Sequence, residues 1–250
     1  MAWSPRNIKM HSPYLRRVWL DRSKIADAAQ YPFCMPMFRD EFELDFTKPI
    51  TIIVGENGTG KSTLLEAIAA MAGYDQSGGG KGYMPVDHSA ALETSADSLG
   101  DALRASWLPK ISKGWFFKAE SFFAIARYLD SVGSPFADYL SHSHGEGFLR
   151  FFNERMNGQG IYILDEPESA LSPTRQIEFL KQLRRMEAST HCQVIMATHS
   201  PILMAYPGAT LLRLNKYGCE QVSLKDVEHF RLMRDFFADP SGFIEAMLEI

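Results

Sequence analysis

Apolar and polar positions fall into recognisable patterns along this chain. Ile50, Ile52, Ile53 and Val54 make a short apolar run of the kind found in a strand buried on both faces. Directly downstream, Leu64, Leu65, Ile68 and Met71 recur at helical spacing across Lys61 to Ala72. Upstream, Phe42, Leu44 and Phe46 alternate with Glu41, Glu43 and Asp45, and Tyr14 to Leu20 is also strand-like. These two segments are expected to form an antiparallel edge leading into the buried strand. Beyond a Gly-, Ser- and Asp-rich stretch at 74–100, expected to be a mobile loop, Trp115 to Phe117 predict a strand that turns helical near Ser121. A helix follows over Phe148 to Met156, a strand over Ile161 to Leu164 and a helix over Pro173 to Glu187. Strands at Gln193 to Met196 and Thr210 to Leu214 complete the alternation. Strands alternating with helices predict an α/β fold with a largely parallel sheet and helices on its faces.

What separates the first buried strand from its helix is a loop of the form G-x-x-x-x-G-K-[ST], running Gly55, Glu56, Asn57, Gly58, Thr59, Gly60, Lys61, Ser62 and Thr63. Its glycines let successive backbone N–H groups turn inward toward phosphate oxygens, at a helix N-terminus whose dipole favours negative charge. Lys61 is placed to reach the terminal phosphates and the Ser62 hydroxyl to bind Mg²⁺. The loop therefore predicts a nucleoside-triphosphate grip, with ATP and Mg²⁺ as ligands.

Two further segments end at the same edge. In "GIYILDEPESALSP" a buried strand closes on Asp165 and Glu166, at the carboxyl edge where open α/β sheets keep their ligands. Adjacent strand residues point in opposite directions, so the two carboxylates are expected to divide the labour. Asp165 would hold Mg²⁺ beside Ser62, and Glu166 would polarise the attacking water. In "QVIMATHSP" the next strand runs into His199, expected beside Asp165 and Glu166, where a neutral imidazole can contact the γ-phosphate.

Composition narrows the function classes. With 250 residues, 46% apolar and 22% charged, the chain has the make-up of a soluble globular protein. No run approaches the 18 or more apolar residues of a membrane span, and a cytoplasmic location without membrane insertion is expected. Cys34, Cys192 and Cys219 are scattered, against a disulfide framework or zinc site. Net charge is 26 − 30 = −4, so no basic field supports a nucleic-acid partner.

Taken together, GENGTGKST, LDEPESALSP and ATHSP resemble the motifs of the ATP-binding-cassette (ABC) ATPases. The resemblance is to stand-alone AAA_21-like members related to the repair and chromosome-maintenance branch, and it covers roughly residues 30 to 215. It implies a P-loop NTPase fold of ABC type, with an N-terminal antiparallel β edge and a small helical subdomain. The chain would be a single domain over 1–250, with the helical and signature insertion at about 74–157. After the catalytic Glu the family has S-A-L-D, whereas this chain has Ser169, Ala170, Leu171 and Ser172. The family's L-S-G-G-Q signature is matched only loosely by Ser143, His144, Gly145 and Glu146, which would meet the γ-phosphate held by a partner subunit. No Gln matches the family's Mg²⁺-binding Gln after the sheet strand; Glu120, at the expected strand-to-helix junction, could serve as the oxygen ligand.

What the resemblance implies is ATP hydrolysis by an ATP-sandwiched homodimer that drives a conformational switch in a partner protein. The alternatives are a transporter's nucleotide-binding subunit, a DNA-associated repair or defence ATPase, and an ATP-binding scaffold without turnover. An intact Glu166 argues against the last.

Overall fold

The computed structural model describes residues 10–76, 78–81, 95–119, 122, 125–127 and 144–248, with the backbone alone at 95–97 and 144. A six-stranded sheet forms its centre, built from β3 (Ile50–Val54), β5 (Gly114–Lys118), β6 (Gly160–Asp165), β7 (Cys192–Ala197), β8 (Thr210–Asn215) and β9 (Gly218–Gln221). The order is β5-β6-β7-β3-β8-β9, and all neighbours are parallel except the β8–β9 hairpin. Every residue of β3, β6 and β7 is buried, as expected of parallel strands covered on both faces.

Two cores result, one on each face. Ile53, Ile163, Ile195 and Phe116 point toward helix α1 (Lys61–Ala72). Ile52, Leu164, Met196 and Phe117 point the other way, toward α3 (His144–Arg155) and α4 (Pro173–Ser189). On that second face Phe117 meets Phe148 at 4.5 Å between ring centroids and Phe152 at 5.0 Å, and Phe152 meets Phe179 at 5.1 Å. These tilted and edge-on contacts add specific geometry to a large buried apolar area and fix α3 against the sheet.

The antiparallel edge expected from residues 14–46 is present, but as a second sheet. Here β1 (Leu15–Leu20) lies between β2 (Glu43–Asp45) and β4 (Leu103–Trp107), antiparallel to both. The alternation holds: Phe42, Leu44 and Phe46 are buried while Glu43 and Asp45 pair with Arg17 in the open. The expected loop at 74–100 needs correction at its end, because α2 (Ser95–Ala102) is helical. Leu99 and Ala102 are buried, and Gly100 faces α1, where an added Cβ would sit in ordinary van der Waals contact 3.6 Å from the Ala70 methyl. Tertiary packing on α1 thus makes a helix from a segment of weak local pattern.

Gln193 ties the two sheets together. Its side-chain oxygen accepts from the Tyr14 and Leu15 amides at 2.8 and 2.9 Å, and its nitrogen donates to the Leu15 carbonyl at 2.9 Å. The residue is fully buried. Gln193→Ala strands three main-chain groups away from water, at about 1–3 kcal/mol each and less than additively, so we expect a loss of about 3 kcal/mol in urea unfolding. A loss below about 1 kcal/mol would show that β1 is held by its apolar face alone.

Candidate functional site

The strand order brings the three motifs to one edge. β7 stands between β3 and β6, so the segments after all three strands emerge side by side. Their ends are joined: the Thr198 amide donates to the Ile53 carbonyl at 3.3 Å, and the Glu166 amide to the Ala197 carbonyl at 3.0 Å.

The phosphate loop takes its shape from two close approaches. A Cβ on Gly55 would lie 2.5 Å from the Leu214 carbonyl oxygen, so no side chain fits there. Gly60, with φ of +91°, occupies the left-handed region that opens α1, and a Cβ there would lie 2.5 Å from the Met35 methyl. Lys61 curls back over the loop and donates to the Gly55 and Glu56 carbonyls at 2.8 and 3.0 Å. Burial lowers its pKa, with the nearby acids Glu166 and Asp165 opposing the shift.

Asp165, the last residue of β6, is 6% exposed, and one of its carboxyl oxygens has no partner among the described residues. Burial raises its pKa to about 6, against the lowering influence of a hydrogen bond from Ser62 and of Lys118. An unpartnered buried carboxylate oxygen beside a hydroxyl is a donor set that suits Mg²⁺, which is held by one or two carboxylates together with nucleotide phosphates. A carboxyl that titrates near 6 when folded, rather than near 3.8, costs stability in full above pH 6. That cost is relieved as pH falls from 6 toward 3.8. Asp165→Asn should therefore stabilise the nucleotide-free protein by about 1–3 kcal/mol at pH 8 and by clearly less at pH 4.5. An equal gain at both pH values in thermal unfolding would contradict this.

Glu166 does not continue the strand as expected from simple alternation. Its φ and ψ are +49° and +53°, a left-handed conformation that a non-glycine residue holds only under constraint from its surroundings. The turn brings its carboxylate, 41% exposed, toward the neighbouring strand end. There the His199 Nε2 lies 3.6 Å from the Glu166 Oε1, just beyond hydrogen-bond distance. Burial and the Lys61 ammonium lower the His199 pKa, which favours the neutral imidazole.

A third acid is not foreseen from the sequence. Glu168 accepts from the His199 amide at 2.5 Å and from the Thr198 hydroxyl, and its burial raises its pKa. It clamps the main chain that carries His199, while Gln176 of α4 reaches the hydroxyl of Ser200, the residue that caps the short helix α5 (Pro201–Met204). Likewise unforeseen is the cover over the loop: the Tyr31 hydroxyl meets the Thr63 hydroxyl at 2.5 Å, next to Met35 on Gly60.

The signature segment is only partly described. Ser143 and Glu120 lie outside the described residues. The helix begins at His144 rather than Phe148, so Gly145 and Glu146 belong to its first turn. Gly145 packs near the Ala170 carbonyl, and Glu146 pairs with Arg175 at 2.7 Å. Ser172, where the family has Asp, caps α4 by accepting from the Arg175 amide at 3.4 Å.

Parts of the chain are similar to known proteins. Residues 33–100 match the family described as "AAA domain", and residues 119–205 match one described as "AAA domain, putative AbiEii toxin, Type IV TA system". The first match contains the phosphate loop; the second contains Asp165, Glu166 and His199. The thiamine import ATP-binding protein ThiQ of Vibrio parahaemolyticus serotype O3:K6 (strain RIMD 2210633) is 26% identical over 199 residues, 70% of this chain and 80% of the relative. Among solved structures, the SMC head domain from Thermotoga maritima is similar at a TM-score of 0.47 and 15% identity, over 84% of this chain and all of that one. The protein cbiO1 from Clostridium perfringens, part of the ABC transporter complex cbiONQ, is similar at 0.46 and 18%, over 84% and 92%. No helix among the described residues is long and apolar enough to cross a membrane.

Proposed function

We propose that this chain is a P-loop ATPase of the ATP-binding-cassette type that hydrolyses ATP to ADP and phosphate as a nucleotide-sandwiched homodimer. The chain 1–250 would work as one ATPase domain, with its helical insertion at about 74–157. The observation that carries the hydrolytic reading is the meeting of Lys61, Asp165, Glu166 and His199 at adjoining strand ends, with the His199 Nε2 3.6 Å from the Glu166 carboxylate.

In this reading the phosphate loop, Gly55 to Thr63, binds the triphosphate through its amides, and Lys61 transfers its ammonium from loop carbonyls to phosphate oxygens. Ser62 and Asp165 would hold Mg²⁺, which supplies charge neutralisation at the phosphates when bound; Glu120 is a further candidate oxygen donor. Glu166 orients a water and accepts its proton as the oxygen attacks phosphorus. His199, neutral, offers an N–H to the γ-phosphate as negative charge redistributes. Ser143, His144, Gly145 and Glu146 would contact the γ-phosphate bound by the other copy, so each site needs two chains.

Output through a separate partner protein is supported by the second family match, whose description names a toxin–antitoxin system. A transporter's nucleotide-binding subunit is the second reading, favoured by the likeness to a thiamine import ATP-binding protein.

Shared sites make a direct test. Light scattering on Glu166→Gln should show monomer without nucleotide and dimer with ATP, because ATP binds the closed form better and shifts the population toward it. Adding Ser143→Arg should abolish that dimer while ATP still binds. Dimer formation undiminished by Ser143→Arg would remove the segment from the shared site.

A further inference from the structure

The C-terminal part of the chain forms α6 (Glu228–Ala238) and α7 (Pro240–Leu248), neither of which has a fully buried residue. Attachment is through the start of α6, where Val227 is buried and Phe230 packs partly against the core. That same first turn borders a cavity of about 380 Å³ whose walls include Gly55, Glu56, Thr59, His199 and His229. A C-terminal helix thus opens onto the phosphate loop and the end of β7.

His199 is restrained unevenly. Its amide is fixed by Glu168, but Nε2 has no hydrogen-bond partner among the described residues and Glu166 stands 3.6 Å away. A histidine χ2 torsion is broad and soft, so the orientation of an imidazole without a bond at Nε2 depends on what its ring packs against. What it meets is the ring of His229, edge-on, with centroids 6.0 Å apart and planes at 71°. Edge-to-face geometry is one of the two favoured arrangements of aromatic rings, so turning either ring out of it gives up part of that contact.

We propose that His229 is a positioning residue: its ring, packed edge-on, holds the His199 imidazole with Nε2 toward Glu166, which makes the first turn of α6 part of the hydrolytic site. This rests on the reading of His199 as a γ-phosphate contact. The reacting atoms are never touched by His229, so its effect falls on turnover rather than on nucleotide affinity.

The test uses the full chain and four variants: His229→Ala, His229→Phe, His199→Ala and the double variant of His199→Ala with His229→Ala. His229→Ala should lower kcat about three- to tenfold, the size an aromatic edge contact can carry, while MgATP affinity stays within about twofold. His229→Phe keeps the edge contact without the ring nitrogens and should restore most of the rate. In the double variant, His229→Ala should add nothing to His199→Ala, since the effect passes entirely through that imidazole. The ring carbon-bound proton signals of His199, identified by their loss in His199→Ala, should shift in His229→Ala without nucleotide present. Wild-type turnover in His229→Ala, unmoved His199 signals, or an additive double variant would each overturn the proposal. A fully active His199→Ala, together with His199 ring signals that do shift in His229→Ala, would overturn the role of His199 itself, a different failure seen in a different variant.

Discussion

Lys61→Ala is expected to weaken MgATP binding by on the order of 10²-fold while the fold survives, because the ammonium–phosphate interaction it removes is charge-assisted and worth about 1.5–3 kcal/mol. Survival of the fold follows from what the ammonium does in the free protein. It is buried, which lowers its pKa, and it bonds the two loop carbonyls of Gly55 and Glu56. Removing it gives up two hydrogen bonds and also removes a costly buried charge, so the two effects offset each other in stability. Calorimetric titration with MgATP, set beside a melting curve, separates the outcomes. Unchanged affinity in a folded variant would mean that the loop does not grip a triphosphate.

Glu166→Gln is expected to keep MgATP binding and lose turnover by on the order of 10²-fold, the lower range of what a general base contributes. The amide has the same shape and can hold the same left-handed backbone, so the altered property is the ability to take up a proton. Single-turnover phosphate release measures this without interference from product dissociation. A variant that hydrolyses at the parent rate would leave His199, the neighbouring imidazole, as the group that takes the proton.

How much of this could be read from the sequence depends on how local the cause is. The phosphate loop is legible because its requirements are contiguous: a glycine where the backbone crowds Leu214, another where the helix opens left-handed, and a lysine one residue on. Asp165 and His199 are legible as strand ends, since a fully apolar run followed by a polar residue marks the edge of a parallel sheet. Glu168 is not, because its role is to bond an amide 31 residues away and nothing nearby signals it. β4 is hidden for a related reason: "LRASW" has no clean alternation, and it becomes a strand by pairing with β1, far upstream. The left-handed turn at Glu166 is invisible in composition, as nothing but the surrounding fold forces a glutamate into it.

β7 has a consequence of a metrological kind. It is the one strand lying between the strand that carries the grip and the strand that carries the chemistry. Strand spacing is about 4.8 Å, so the two are set about 10 Å apart by backbone hydrogen bonding, independent of any loop. The phosphate loop and the acid-bearing turn are thus gauged from a common ruler. Side chains on β7 can vary without altering that gauge, provided their volumes are kept, whereas a slip of one residue would exchange the strand's two faces and move Ala197 out of step with Ile53 and Asp165 together.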